Sequence, residues 1–337
     1  MNRVIKENEL AGYVHNVLYA DTDDRGYVVP HRFTDRQIKQ YAADSVTDGV
    51  DYTLRCRAAS NVTVEFITDS DFAALEFEWQ DAVGIPYVSI DCMVDGKLAY
   101  SFYDEKLSHK FFAFELPAGT HEVQIFLSWN SLMILKDLVI GGSAFIKPAS
   151  EKKLRILTFG DSITQGYVCR HPGMCYVGRM TAKLKAEVLN QAIGGYYFEG
   201  AVLSEELSSW KPDLITVAYG TNDYSKRNSA ELFEEKMRGF MGKLSEIFPV
   251  TPVLGLMPIY RNDVGFASRR LFRDYTHESA MDIIRNVYAD FRNVTVMEDT
   301  YFPQNKDFFY TDFLHPSDLG FLLYADAVID KIKELNI

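Results

Sequence analysis

The chain has 337 residues, with 47% hydrophobic and 14% aromatic side chains, enough to bury a sizeable core and, by length, to form two domains. Lys plus Arg number 35 against 47 Asp plus Glu, a net charge of -12, which argues against a nucleic-acid backbone or an anionic membrane surface as partner. Residues 1–9 are charged and lack the apolar core of a signal peptide, and no stretch reaches the length of a membrane span, so a cytoplasmic location is the expectation.

Four cysteines, Cys56, Cys92, Cys169 and Cys175, are too few for a disulfide scaffold in a chain of this length. Cys169, His171 and Cys175 lie close in sequence, but the spacing lacks the paired Cys-x-x-Cys form and no fourth ligand is evident. A packing or pocket-lining loop is the expected role, with no metal.

From Asp51 to about Ile146 the pattern is one of short β-type runs: Tyr52–Cys56, Val62–Ile67, Ala74–Trp79, Tyr87–Asp91 and Lys110–Glu115. Asp95-Gly96 is a hairpin-turn signal, and Glu122–Leu127 alternates as a half-buried strand does. Strands at this spacing predict an antiparallel sandwich over residues 1–150. Its aromatics, Trp79, Tyr100, Phe102 and Tyr103, are read as core, although they could also form a sugar-stacking platform. Trp129 follows a strand on a loop that could reach another domain, and is the expected substrate contact.

After Lys147-Pro148-Ala149-Ser150 the period changes, and strands alternate with helices over residues 151–337. The strands are expected at Leu154–Phe159, Val188–Ile193, Asp213–Gly220, Val253–Met257 and Val294–Met297. Helices are expected over Leu232–Ile247, Ala280–Phe291 and from Pro316 onward. This alternation predicts a parallel sheet covered on both faces.

The polar candidates fall where those strands end: Ser162, Gly194-Gly195, Asn222, and Asp312 with His315 before the last helix. A serine hydroxyl becomes a nucleophile when a base accepts its proton, and His315 can be that base with Asp312 holding its other nitrogen. The oxyanion formed on attack needs fixed donors, which Ser162 N–H, Gly195 N–H and the Asn222 amide can supply. Each residue taken alone is more often a cap, a turn residue, a surface residue or a helix-dipole partner. Their occurrence in one order at successive strand ends is what chance explains poorly.

Gly160-Asp161-Ser162-Ile163-Thr164, Asn190–Gly195, Gly220-Thr221-Asn222-Asp223 and Asp312–Pro316 resemble the four sequence blocks of the SGNH, or GDSL-type, esterases and lipases. Ala192 departs from the pattern, where glycine is frequent. The resemblance implies a flavodoxin-like α/β/α hydrolase domain without metal or organic cofactor. Ser162 would be its nucleophile, His315 its base, Asp312 the orienting carboxylate, and Ser162, Gly195 and Asn222 its oxyanion hole. Asp161 and Asp223 are expected as structural hydrogen-bonding groups. The preceding β region is similar to the N-terminal jelly roll of a branch that includes the second carbohydrate-esterase family.

The function expected is therefore a serine esterase that removes short acyl groups, acetyl first among them, from small O-acylated carbohydrates. The loop Tyr167–Tyr176 and Trp129 are expected to shape the acyl pocket. A short-chain lipase or thioesterase is the alternative within the same chemistry, and an inactive carbohydrate-binding protein the alternative outside it.

Overall fold

The structure is a computed structural model, and it describes residues 2–105, 110–227, 229–261 and 275–337. Among these residues the first part of the chain forms two six-stranded antiparallel sheets packed face to face. One is ordered Tyr19–Thr22, Val28–His31, Ser131–Ile140, Phe72–Asp81, Phe111–Glu115, with Arg3–Ile5 also on Ser131–Ile140. The other is ordered Ile146–Pro148, Thr63–Thr68, His121–Phe126, Val88–Val94, Lys97–Asp104, with Val14–His15 also on Thr63–Thr68. Alternate residues such as Leu75, Phe77, Leu135, Val64, Phe66, Ile90 and Ile125 point between the sheets and make the sandwich core. The Asp95-Gly96 hairpin forms as expected, with φ of 51° and 74° at its two central residues.

Two sequence expectations in this region are corrected. Tyr52–Arg55 is a short helix, because the Asp51 side chain accepts the Leu54 N–H and caps it, overriding the β-branched and aromatic character of the run. Tyr100 and Tyr103 are exposed on opposite faces of Lys97–Asp104, Tyr100 stacked on Phe114 and Tyr103 beside Tyr87, while Trp79 and Phe102 pack partly buried against the core.

The second part is a five-stranded parallel sheet in the order Glu187–Asn190, Arg155–Gly160, Leu214–Ala218, Val253–Leu256, Val294–Met297. Numbered along the chain this is 2-1-3-4-5, the flavodoxin-like order, whose strand order reverses beside Arg155–Gly160. Ala230–Ile247 and His277–Ala289 bury Phe233, Met237, Phe240, Ile284 and Tyr288 on one side of the sheet. Tyr176–Leu184 and Asp318–Glu334 bury Met180, Phe321, Ala325 and Val328 on the other. The last helix is capped by Ser317, whose hydroxyl accepts the Gly320 N–H, so Pro316 sits just outside the helix instead of in its first turn.

The N-terminal segment between the two small strands Val28–His31 and Thr63–Thr68 packs away from the sandwich. The helix Asp35–Asp48 opens with a capping box between Thr34 and Gln37 and closes on Gly49. Phe33, Tyr41, Tyr52 and Cys56 join the same apolar cluster as Leu157 and Leu189 of the parallel sheet. Buried polar pegs fasten the rest: Asn61 Nδ2 donates to Val188 O at 2.9 Å, Ser60 Oγ to Gln165 O at 2.7 Å, and the Asn16 N–H to Glu187 Oε1 at 2.6 Å. Arg32, fully buried, donates to the carbonyls of Ala58, Asn190 and Ala192. Such pegs fix the N-terminal part of the chain against the strand Glu187–Asn190, the turn that follows it and the end of the helix Ser162–Gln165, because each would leave a buried group unpaired if it moved.

Candidate active site

Strand Arg155–Gly160 ends at the switch point of the sheet, and Gly160 is required there because an added Cβ would lie 2.1 Å from Thr164 Oγ1. Asp161 follows as N-cap, its carboxylate accepting the Ile163 N–H at 3.0 Å, and Ser162 is the first residue of the short helix Ser162–Gln165. The Ser162 N–H is therefore one of the helix's unpaired first-turn donors. Its hydroxyl is 2.7 Å from His315 Nε2.

His315 stands just before the last helix, and its Nδ1 is 2.5 Å from Asp312 Oδ2. The other Asp312 oxygen accepts the N–H groups of Leu314 and His315, each at 3.0 Å. Partial burial works to raise the Asp312 carboxyl, but the hydrogen bond and charge of His315 outweigh it and hold the group down to about 2. An ionised Asp312 accepts the proton on Nδ1, which leaves Nε2 as an acceptor for the Ser162 hydroxyl. Ser162 and His315 are 9% and 7% exposed, while the Asp312 carboxylate behind them is 42% exposed to solvent.

The turn after Glu187–Asn190 lies on the other side of Ser162. A Cβ on Gly194 would be 3.6 Å from Ser162 Cβ, and Gly195 has φ of +81°. Among the described residues neither the Ser162 nor the Gly195 N–H has an acceptor. Asn222 follows the neighbouring strand Leu214–Ala218; one of its amide N–H bonds goes to Tyr196 O at 3.0 Å, and among the described residues the other meets no acceptor. The structure thus brings Ser162, Gly195, Asn222, Asp312 and His315 to one end of the sheet.

Asp161 and Asp223 are fully buried beneath the site, and burial pushes their carboxyls up to about 6 and about 7. Asp223 accepts the Phe198 N–H and so fixes the segment that follows the Gly194-Gly195 turn.

Trp129 is 1% exposed. Its indole N–H donates to Cys169 O at 2.7 Å and lies 3.0 Å from the Tyr87 hydroxyl. Its ring packs on Tyr167, centroids 5.4 Å apart, and Tyr167 in turn lies 4.5 Å from His315. Tyr167, and not Trp129, is the ring beside the histidine. The rest of the Tyr167–Tyr176 loop is docked on the sandwich: the Gly173 N–H and His171 Nδ1 both meet Asp91, at 3.0 Å each. Cys169 and Cys175 are buried and their thiols donate to the His171 and Pro172 carbonyls. Burial pushes Cys169 up and Cys175 to about 11, so both stay protonated near neutral pH. Among the described residues no group of three or more His, Cys, Asp or Glu side chains could hold a metal ion.

Residues 158–322 match the GDSL-like Lipase/Acylhydrolase family, and this match spans all five residues at the rim. The parallel-sheet part of the chain therefore carries a GDSL-like lipase/acylhydrolase domain. The chain is accordingly an esterase or acylhydrolase with the SGNH hydrolase fold preceded by a β-sandwich. Solved structures share this two-part architecture from end to end. The salicylyl-acyltransferase SsfX3 from a tetracycline biosynthetic pathway superposes with a TM-score of 0.82 at 18% identity, covering 100% of this chain and 98% of its own. A family two carbohydrate esterase from Cellvibrio japonicus gives 0.66 at 16% identity, covering 99% and 98%. The acetyl xylan esterase Est2A from the rumen bacterium Butyrivibrio proteoclasticus gives 0.64 at 12% identity, again covering 99% and 98%. No curated protein matches the chain by sequence. No helix among the described residues is long and apolar enough to cross a membrane.

One neighbour of the GDSL-like rim was not visible in the sequence. Arg55, on the short helix read as a strand, donates from Nη1 to Gly194 O at 2.5 Å, and the Tyr52 hydroxyl oxygen of the same helix lies 3.2 Å from Gly195 O. The sequence signal that could have located them is Asp51, a cap residue ahead of a helical turn.

Proposed function

We propose that the protein hydrolyses short acyl esters of small carbohydrates by a Ser-His-Asp acyl-enzyme mechanism, acetyl esters first among them. The observation that carries the reading is the continuous hydrogen-bonded line from Ser162 Oγ through His315 to Asp312, at 2.7 and 2.5 Å, beside donors with no other partner. Ser162 Oγ attacks the ester carbonyl while His315 Nε2 takes its proton; the carbonyl oxygen becomes an oxyanion held by Ser162 N–H, Gly195 N–H and Asn222 Nδ2. The C–O bond to the alcohol then breaks, and His315 returns the proton to the departing oxygen. Water repeats the sequence on the acyl-serine and releases the acid.

Two features favour a short acyl group and a polar alcohol. Tyr167 over His315 and the low exposure of Ser162 leave little room at the nucleophile. A cleft of about 560 Å³, lined by Tyr87, Tyr103, Glu105, Val168, Arg170 and Tyr310, begins one residue along the chain from Tyr167, and its tyrosines and charged groups suit a sugar ring and its hydroxyls. Similarity in fold to family two carbohydrate esterases agrees with this choice.

The test is turnover of nitrophenyl esters from acetate to octanoate, followed by acetylated mono- and oligosaccharides, with Ser162→Ala as control. Fastest cleavage of acetate, release of acetate from the sugars and an inactive variant are expected. Preference for octanoate moves the substrate to lipids or thioesters. Sugar binding without any turnover by the native protein moves the function to carbohydrate binding.

A further inference from the structure

The turn Ile193–Tyr196 is closed by the Tyr196 N–H donating to Ile193 O at 3.1 Å, with positive φ at its third residue, Gly195, as in a type II turn. Its central peptide joins the Gly194 carbonyl to the Gly195 N–H. The turn's own hydrogen bond does not engage that peptide, and glycine on both sides makes its rotation cheap, since a peptide flip converts one turn type into another. Whatever grips the Gly194 carbonyl therefore decides which way the Gly195 N–H faces, because the two point in opposite directions across a trans peptide.

Arg55 grips it. Nη1 donates to Gly194 O at 2.5 Å, and a Cβ on Gly194 or Gly195 would lie 3.5 or 3.1 Å from the same nitrogen, so the guanidinium lies against the turn itself. Among the described residues Arg55 has no carboxylate partner: Asp51, one turn earlier, is taken up by Thr53 Oγ1 and the Leu54 N–H. The helix that carries Arg55 is itself fixed. Tyr52 Oη donates to Asp48 Oδ2 at 2.7 Å and receives Lys226 Nζ at 2.6 Å, and the Tyr52 ring packs edge-on against Tyr196, centroids 5.0 Å apart.

We propose that Arg55 is a positioning residue of the oxyanion hole, supplied by the N-terminal segment, which locks the Gly194–Gly195 peptide with its N–H toward the reacting carbonyl. The inference rests on the reading of Ser162, Gly195 and Asn222 given above. A charge-assisted bond to the carbonyl also polarises the peptide, which makes the N–H at its other end a stronger donor. Arg55 touches neither substrate nor nucleophile in this role. It acts through the turn, and its effect appears only when negative charge develops on the ester oxygen.

The experiment compares kcat and KM for nitrophenyl acetate in the full-length native protein, Arg55→Ala, Arg55→Gln, Arg55→Lys and Ser162→Ala, with and without millimolar guanidinium ion. Deleting an oxyanion donor outright costs about 10²–10³ in kcat, so loosening one is expected to cost about 10–10² in Arg55→Ala with KM changed less than about threefold. Arg55→Lys should recover at least about tenfold of that, since it restores a charged donor, and guanidinium should raise Arg55→Ala but not the native enzyme. If Arg55→Ala does not fold, Arg55→Gln, which keeps the aliphatic stem and an uncharged donor, takes its place in the comparison. An Arg55→Ala enzyme with native kcat overturns the inference, as does a loss of kcat that neither lysine nor guanidinium relieves, which would make Arg55 a docking contact only. Turnover surviving in Ser162→Ala would instead overturn the reading of the site on which the inference rests.

Discussion

Asp312 holds His315 through both its oxygens, Oδ2 on the imidazole Nδ1 at 2.5 Å and Oδ1 on the His315 backbone N–H at 3.0 Å. The three-residue spacing makes this possible without a second element of the fold. It also sets the tautomer, since an acceptor at Nδ1 puts the lone pair at Nε2, facing Ser162.

Asp312→Asn is therefore expected to retain the turn and lose the chemistry. The amide oxygen can still accept the Leu314 and His315 N–H groups, but its NH₂ then faces Nδ1 and favours the tautomer with hydrogen on Nε2. Such a histidine cannot take the Ser162 proton, and kcat should fall by about 10²–10⁴ with little change in KM. A variant within tenfold of native would assign Asp312 a capping role only.

Asn222→Ala removes a side-chain donor from the rim together with the bond to Tyr196 O. Loss of the donor alone is expected to lower kcat by about 10²–10³ while leaving KM nearly unchanged. A rise in KM at constant kcat would place Asn222 in substrate binding instead.

Trp129→Ala tests packing. The ring is 1% exposed and supports Tyr167, which lies over His315. Truncation of a buried tryptophan costs about 3–5 kcal/mol, read as a lower denaturant midpoint, and activity should fall as Tyr167 loses its support. Full stability in the variant would show that the loop carries the ring without load.

Asp223 gives stability a dependence on pH. Burial lifts its carboxyl from 3.8 to about 7, against the opposing charge of Arg227. Between those values the native state keeps a proton the unfolded chain has released, so this contribution is fully present below about pH 4 and is lost as pH rises through about 7. Asp161, lifted to about 6, acts in the same direction. Asp223→Asn should therefore lose less stability than the native protein between about pH 4 and about pH 7 in urea titrations. Parallel losses in the two proteins would contradict the assignment.

Much of the site could be read from the sequence because its parts lie at strand ends, where one residue after each apolar run is enough to place them. Ser162 follows Arg155–Gly160, Asn222 follows Leu214–Ala218, and Asp312 and His315 share one turn. The N-terminal contribution was hidden for a physical reason. The helix Asp35–Asp48 buries only Gln37 and Tyr41, so its apolar stripe is faint, and Tyr52–Arg55 has strand-type residues bent into a helix by the Asp51 cap and by packing against Tyr196. Arg55 reaches Gly194 across 139 positions of chain, a contact that only the docking of the two parts creates. Trp129 was visible as a residue poised to leave the sandwich; its burial behind Tyr167 depends on how the Tyr167–Tyr176 loop settles on Asp91.

The most direct test of the account is to trap the covalent intermediate. Native protein quenched in acid during turnover of nitrophenyl acetate, then digested and weighed, should carry one acetyl group on the peptide containing Ser162, and Ser162→Ala should carry none. Acetyl on another side chain, or steady turnover by Ser162→Ala, would contradict the claim that Ser162 is the nucleophile.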